Sequence, residues 1–100
     1  MPEYRYDIML ETQLGDKSGE LMFQIDGNSI EGVCTVLGFS VPCRGMIDQK
    51  GNCTLTGQIK TFMTTYDYIG AGYVDHDRVD LVLNSGKKRF YLTGTAFQKK

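Results

Sequence analysis

The sequence predicts one all-β domain built from about eight short antiparallel strands that follow one another along the chain. Three observations predict it. Apolar and polar residues alternate in most windows, glycine-rich turn signals recur about every 12 residues, and no window has a convincing helical period. The chain has 100 residues, 41% of them hydrophobic. That is the size of a single domain with its own core, so residues 1–100 are expected to form one unit.

The first strand illustrates the alternation: Tyr4, Tyr6, Ile8 and Leu10 are separated by polar residues or methionine. A period of two places these four side chains on one face of an extended strand. Similar runs are separated by turn residues, including a predicted loop over 15–19. The predicted strands are 4–14, 19–26, 28–37, 39–48, 52–63, 66–75, 77–84 and 88–98.

The triplets 30–32, 55–57 and 92–94 each place an apolar residue two positions before a glycine within a predicted strand; these glycines are Gly32, Gly57 and Gly94. The spacing between them is irregular, which argues against a solenoid or propeller repeat. Glycine within a strand marks a sharp bend or a point where another group packs close to the backbone. We expect these three positions to have that role.

The turns also predict the register of the central strands. With Asp26-Gly27 as a two-residue turn, Phe23 should lie opposite Ile30 inside the sheet. With Leu37-Gly38 as the next turn, Glu31 should lie opposite Arg44 outside. Leucine rarely adopts the positive φ that such a turn needs, so a bulged turn shifted by one residue is the alternative.

Strands with short sequential connections form a meander, and eight of them can close into a small up-and-down barrel without free edges. A curved two-sheet sandwich is the alternative architecture. By strand number and connectivity the barrel resembles the calycin group, which includes lipocalins, fatty-acid-binding proteins and avidins. No residue motif of those families is present, so the resemblance is one of fold and carries no function.

The 11 basic and 12 acidic residues give a net charge of −1, which offers no electrostatic reason to expect nucleic acid or an anionic membrane as a partner. The charged N-terminus lacks the apolar run of a signal peptide. The cysteines Cys34, Cys43 and Cys53 are odd in number and lie in apolar alternations, which favours three reduced, buried thiols. We therefore expect a cytoplasmic protein.

Candidate catalytic and metal-binding residues are few. His76, the only histidine, stands between two aspartates in a predicted turn, with no nucleophile in a recognisable context. The acidic residues Asp67, Asp75, Asp77 and Asp80 fit no calcium loop, and the cysteines lack the close pairs of a zinc site. The segment Gly70-Ala71-Gly72 is not followed by a helix that could hold a phosphate. The sequence thus predicts no enzyme, no metal and no cofactor.

The tyrosines suggest a ligand site. Tyrosines beside glycines can line a cavity, because their rings stack and their hydroxyl groups orient a ligand. The alternative is that they fill the ends of the barrel. The candidate ligand-binding residues are Tyr66, Tyr68, Tyr73, Tyr4 and Tyr6. The first functional hypothesis is a non-enzymatic barrel that binds a small apolar or aromatic ligand.

The second hypothesis is a homo-oligomeric structural or interaction module, most simply a dimer, with no small ligand. Many apolar residues fall on the face opposite the main apolar set, more than a bare monomer surface would carry. Either a partner covers this face, or the protein is a monomer in which some strands have two buried faces or a bulge turns these residues inward. Three of them, Met22, Val33 and Met46, lie on neighbouring strands and are predicted to form one interface patch. The remainder are Met9, Leu37, Met63, Ile69, Tyr73, Val82, Tyr91 and Phe97.

Overall fold

The computed structural model describes residues 3–12 and 15–96, which form eight antiparallel strands closed into a barrel. Each strand pairs with the next, and the last pairs with the first. This confirms the predicted meander barrel and its sequential order. The described residues include no helix that could cross a membrane. The strands are β1 (Glu3–Thr12), β2 (Gly15–Asp26), β3 (Ser29–Val36), β4 (Phe39–Ile47), β5 (Asn52–Lys60), β6 (Thr65–Val74), β7 (Arg78–Ser85) and β8 (Lys88–Ala96).

One hydrophobic core fills the barrel, because the period of two points one set of apolar residues on every strand inward. Its largest fully buried side chains are Tyr6 and Phe23, whose rings meet edge to face with centroids 6.1 Å apart. Beside Tyr68 and Cys34 only a void of about 10 Å³ remains. Such a void holds a single water at most. The middle of the barrel is therefore packed with side chains.

The predicted register of β3 and β4 is confirmed. Val36 pairs with Phe39, and Glu31 lies opposite Arg44 on the outward face. Leu37 does adopt a positive φ of 59°, and Gly38 follows at 82°, which makes a two-residue turn of type I′. Among residues 3–12 and 15–96 the only ion pair within 4 Å joins Arg5 to Glu3. Glu31 and Arg44 are therefore cross-strand neighbours without a formed salt bridge.

The predicted pairing of Phe23 with Ile30 is wrong by two residues. Phe23 lies opposite Gly32, and Ile30 lies opposite Ile25. The turn is centred on Gly27 and Asn28, with a φ of +61° at Gly27. Glycine takes the first central position, as in a type II′ turn. The turn therefore lies one residue later than predicted, so that β2 ends at Asp26 and β3 begins at Ser29. A shift of two preserves the faces, which is why Phe23 and Ile30 are both buried as expected.

Two predicted boundaries are also wrong. Residues 15–19 are the start of β2 rather than a loop, since the backbone pairing with β1 continues to Thr12 and Gly15. Strand β5 ends at Lys60, and residues 61–64 form a turn. Both differences arise at the same end of the barrel. Positions 13–14 and 97–98 of the predicted strands lie outside the described residues.

The expectation for the mid-strand glycines is confirmed. A Cβ atom on Gly32 would lie 1.8 Å from the carbonyl oxygen of Met22, and one on Gly57 would lie 2.7 Å from the hydroxyl oxygen of Tyr68. A Cβ on Gly94 would lie 2.6 Å from the carbonyl oxygen of Asp7. These inward positions have no room for a side chain, because a neighbouring strand or ring packs directly on the backbone.

Candidate ligand site at one mouth of the barrel

The two ends of the barrel differ in chemistry. One end carries the turns at 37–38, 61–64 and 86–87, and we call it the basic mouth because Lys17, Lys60 and 87–89 lie there. The other end, here called the far end, carries the turns at 27–28, 48–51 and 75–77. Aspartates occupy each of these far turns or the residue that precedes them. Although the net charge is small, basic residues are therefore concentrated at one end of the barrel axis and aspartates at the other.

The basic mouth contains a cavity of about 370 Å³, the mouth cavity. Its apolar floor consists of Leu10, Leu37, Ile59, Tyr66 and Phe90. The rings of Tyr66 and Phe90 are tilted at 60° with centroids 5.5 Å apart, so they form an aromatic wall. Leu37, which the sequence placed outward, packs against the core here. The cavity is thus a concave, mostly apolar site of the kind that binds small molecules.

A short loop over 61–64 covers one side of the mouth cavity. The Thr61 hydroxyl oxygen accepts hydrogen bonds from the backbone N–H groups of Met63 at 3.3 Å and Thr64 at 3.0 Å. These bonds fix the turn and leave Phe62 and Met63 at its tip, 88% and 92% exposed. The Phe62 ring touches Phe39 edge to face, with centroids 5.5 Å apart. The loop thus offers two large apolar side chains at the cavity entrance.

Three basic side chains surround the entrance. Lys17 and Lys88 occupy inward-facing strand positions and line the cavity. The Lys88 Nζ atom lies 5.2 Å from the centre of the Tyr66 ring, within the range of a cation–π contact. The third, Arg89, faces outward, and its Nε–H donates to Asn84 Oδ1 at 3.2 Å. The lip is therefore cationic above an apolar floor.

The predicted tyrosines are not brought together in one site. Tyr66 lines the mouth cavity, whereas Tyr68 lies within the packed core. Burial raises the pKa of the Tyr68 phenol above its ordinary value. Tyr73 lies on the outward side of β6, where the guanidinium of Arg78 stands 5.4 Å from its ring centre. Of these three, only Tyr66 is placed to touch a ligand in the mouth cavity.

Tyr4 and Tyr6 lie at the far end. The Tyr6 hydroxyl donates a hydrogen bond to the backbone carbonyl of Asp75, which ties β1 to the turn before β7. Burial, reinforced by the charge of Asp75, raises the pKa of the Tyr6 phenol. Tyr4 is half-buried and packs against the core. These two tyrosines close the far end of the barrel, as the alternative interpretation expected.

Two aspartates at the far end, Asp48 and Asp75, stabilise turns through hydrogen bonds. Asp48 accepts hydrogen bonds from the backbone of Lys50 at 2.8 Å and from the backbone and side chain of Asn52, both at 3.0 Å. The side-chain bond from Asn52 is the main cause of the lowered pKa of Asp48. Asp75 accepts from the backbone N–H groups of Asp77 and Arg78. These carboxylates cap turns and do not converge on a site.

The other candidate groups are dispersed. His76 is exposed, and Asp67 lies near the basic mouth, where it accepts from the Gln58 side chain at 2.8 Å. Asp80 lies outward, opposite Tyr73. Within the described ranges, no three histidine, cysteine, aspartate or glutamate residues are grouped to hold a metal ion.

All three cysteines are free thiols in the structure. Cys43 and Cys53 are buried and Cys34 is half-buried. Burial is the main cause that raises the pKa of Cys43 to about 12 and those of Cys34 and Cys53 to about 11, from an ordinary value of 9.0. The thiolate is the nucleophilic form. The three side chains therefore remain protonated and unreactive in the folded protein near neutral pH.

We predict slow modification of the native protein by a thiol-specific disulfide reagent at pH 8 and a count of three thiols in denaturant. Because a raised pKa means tighter proton binding in the folded state, the associated stability is present below pH 9 and is lost as the pH rises towards about 12. Thiolate ultraviolet absorbance of the native protein checks the titration. A count of one thiol, or native thiolate absorbance at pH 9, would contradict the assignment.

The predicted interface residues lie on the outward face but form no single patch. Met22 and Val33 are directly opposite each other, and Val33 continues to Pro42 on β4. Met46 lies four residues further along β4 and is opposite Ser29. Met46 instead begins a second outward row that crosses five strands. The row consists of Met46, Thr54, Ala71, Val82 and Tyr91.

Sequence reasoning found Tyr66 but missed Lys17 and Lys88 as site residues. The turn-like composition of 15–19 concealed the inward position of Lys17, which follows only from its pairing with Leu10. For Lys88, the one signal in the sequence was that the alternation of inward residues on β8 continues from Phe90 back to Lys88.

In comparisons with known proteins, no family model, curated protein or solved structure matches the chain.

Proposed function

We propose that this protein is a non-enzymatic β-barrel that binds a small apolar ligand in the mouth cavity. The observation that carries the proposal is the apolar floor, half enclosed by the loop over 61–64 and lined by the aromatic wall of Tyr66 and Phe90. Apolar surface that a ligand covers there is removed from water, which is the main source of affinity in such sites.

The volume sets the size of the ligand. An apolar cavity of about 150 Å³ holds benzene, so 370 Å³ has room for about a dozen non-hydrogen atoms. The packed middle of the barrel leaves no space for a longer chain to pass inward. The proposed ligand is therefore short and lies at the mouth, unlike one that fills a hollow barrel.

The three free thiols fit a reducing compartment, so the proposal places the protein in the cytoplasm. The up-and-down connectivity of the eight strands resembles that of the calycin barrels, some of which hold one small ligand. This likeness supports an open-mouthed binding barrel as an architecture. The chemical class of the ligand is inferred from the residues that line the cavity.

Octan-1-ol is a suitable uncharged probe of the mouth cavity. We expect saturable changes in the amide chemical shifts of Ile59, Tyr66 and Phe90 as the alcohol is added. Phe62→Ala removes an exposed apolar side chain from the entrance and is expected to weaken binding about threefold to tenfold. Ile69→Ala removes a comparable exposed side chain from the outer surface and should leave the affinity unchanged.

Shifts that never saturate, or that spread over the outer surface, would contradict a site at the mouth. Equal affinity in Phe62→Ala and the parent protein would exclude the loop from the site. Native mass spectrometry of freshly expressed protein complements the titration, because it reports subunit number and any co-purified ligand together.

A homo-oligomer is the second candidate function, and the outward row from Met46 to Tyr91 favours it. Met46, Tyr91 and the neighbouring Ile69 are exposed, while Thr54 and Ala71 between them are small enough for close approach. Two copies related by a two-fold axis could cover this row. An 11.2 kDa species in the same mass spectra would exclude a stable dimer.

A further inference from the structure

We infer that the ligand of the mouth cavity is an amphiphile with one carboxylate group, which Lys17 and Lys88 bind at the cavity lip. This inference rests on the proposed function and adds the chemical class of the ligand. Its basis is the placement of two cationic side chains on the inward face of a barrel, directly above an apolar floor.

Lys17 is the first unusual feature. The inward positions that follow it on β2 are Gly19, Leu21 and Phe23, and its partner across the sheet is Leu10. Lysine is rarely buried unless an anion pairs with it. Here the side chain is half-buried and lines the cavity. Lys17 is therefore placed beside the mouth cavity at an inward position.

Lys88 is the second feature. It has the same inward alternation as Phe90 and Leu92, and its ammonium group lies over the Tyr66 ring. In the part of the chain that the structure describes, neither Lys88 nor Lys17 forms an ion pair with a carboxylate. The cation–π contact orients the Lys88 side chain over the cavity while leaving its N–H donors available.

The carboxylates closest along the strand to Lys17 do not neutralise it. Glu11 and Asp16 lie opposite each other in the register of β1 and β2, on the outward face, and both are exposed. Arg89 adds a third positive charge to the rim. The cavity therefore has a positive lip without an internal counter-ion, and an anion entering it gains attraction without displacing a protein carboxylate.

The cavity and the lip together define the ligand. A short apolar chain on the floor covers Ile59 and Phe90, and a carboxylate at the end of that chain reaches the lip. Lysine ammonium groups are compact charges with three donors each, so two of them can share one carboxylate. An uncharged ligand of the same shape would fill the floor but gain nothing from the lysines.

Octanoate and octan-1-ol separate these cases, because their chains match and only the octanoate head group is charged. We expect the folded parent protein to bind octanoate about tenfold more tightly at low salt. Lys17→Met and Lys88→Met keep the apolar stem and remove the charge. Each should weaken octanoate binding about threefold to tenfold while leaving octan-1-ol within twofold. Lys50→Met, at the far end, is the matched control and should change neither affinity.

The outcomes distinguish the two proposals. If neither probe binds, the proposed function fails and the inference fails with it. If both bind equally and the lysine variants change nothing, the cavity is a site for apolar ligands and the carboxylate assignment is wrong. If the variants weaken both probes equally, the lysines act only as cavity wall, which also overturns the inference. Lys17→Gln provides a second variant at that position if Lys17→Met does not fold.

Discussion

Replacing Gly32 by valine is expected to lower the free energy of unfolding by about 3 kcal/mol or more. A Cβ atom there would lie 1.8 Å from the carbonyl oxygen of Met22 and 2.9 Å from the Phe23 ring. The oxygen belongs to the neighbouring strand, so relief requires β2 and β3 to separate. Because the clashing atom belongs to the backbone, a side-chain rotation cannot relieve the clash.

Glu31→Val is the matched control for Gly32→Val. Glu31 precedes Gly32 on the same strand, faces outward and is exposed, and valine suits an extended strand. We expect its effect on the unfolding free energy to stay within about 0.5 kcal/mol. Urea denaturation followed by circular dichroism measures both variants. In thermal denaturation, Gly32→Val should melt roughly 12–24 °C lower. A urea midpoint equal to that of the parent would show that the strands can part at little cost.

The second large effect is expected at Phe23. Its side chain is 0% exposed and packs against Tyr6 in the middle of the barrel. Phe23→Ala removes this buried surface and leaves a cavity in a closed structure that cannot easily collapse. The expected loss is about 3–5 kcal/mol. For a domain of this size, that is a large share of the total stability.

Phe62→Ala is the same chemical change at an exposed position and is expected to cost less than about 0.5 kcal/mol. Measuring both variants by urea denaturation and by octan-1-ol titration therefore separates an effect on core packing from an effect on ligand binding. Phe23→Ala should shift the midpoint strongly, whereas Phe62→Ala should change octan-1-ol affinity with little change in midpoint. Equal stability losses in the two variants would contradict the assignment of Phe62 to the entrance of the cavity.

The prediction of the fold succeeded because local alternation is sufficient to define which residues face inward. Tyr6, Leu21 and Val79 are buried as their strand periods indicate. Even the incorrect pairing of Phe23 with Ile30 did not alter the predicted core, because a register shift of two residues keeps each side chain on its face. Strand ends were harder to predict, since polar residues such as Asp16 and Lys17 occur in both strands and turns.

The candidate site was harder to predict than the fold. The tyrosines were identified as a group by residue type, yet the structure distributes them over both ends, the core and the outer surface. Of the five candidate tyrosines, only Tyr66 shares the mouth cavity with Phe90, and their contact joins β6 to β8 over the intervening β7. Contacts of this kind depend on how the barrel closes and on where each strand ends, neither of which follows from the alternation of one strand.

The sequence by itself determined the strand order, the inward face of each strand and the glycine positions at which backbones approach closely. These features follow from a period of two, from turn chemistry and from the small size of glycine, all of which are local. The tertiary structure alone decided that Lys17 and Lys88 line the same cavity above one apolar floor and that Met46 lies apart from Met22. Those outcomes depend on closure between β1 and β8 and on cumulative register around eight strands, where a shift at one turn repositions every residue beyond it.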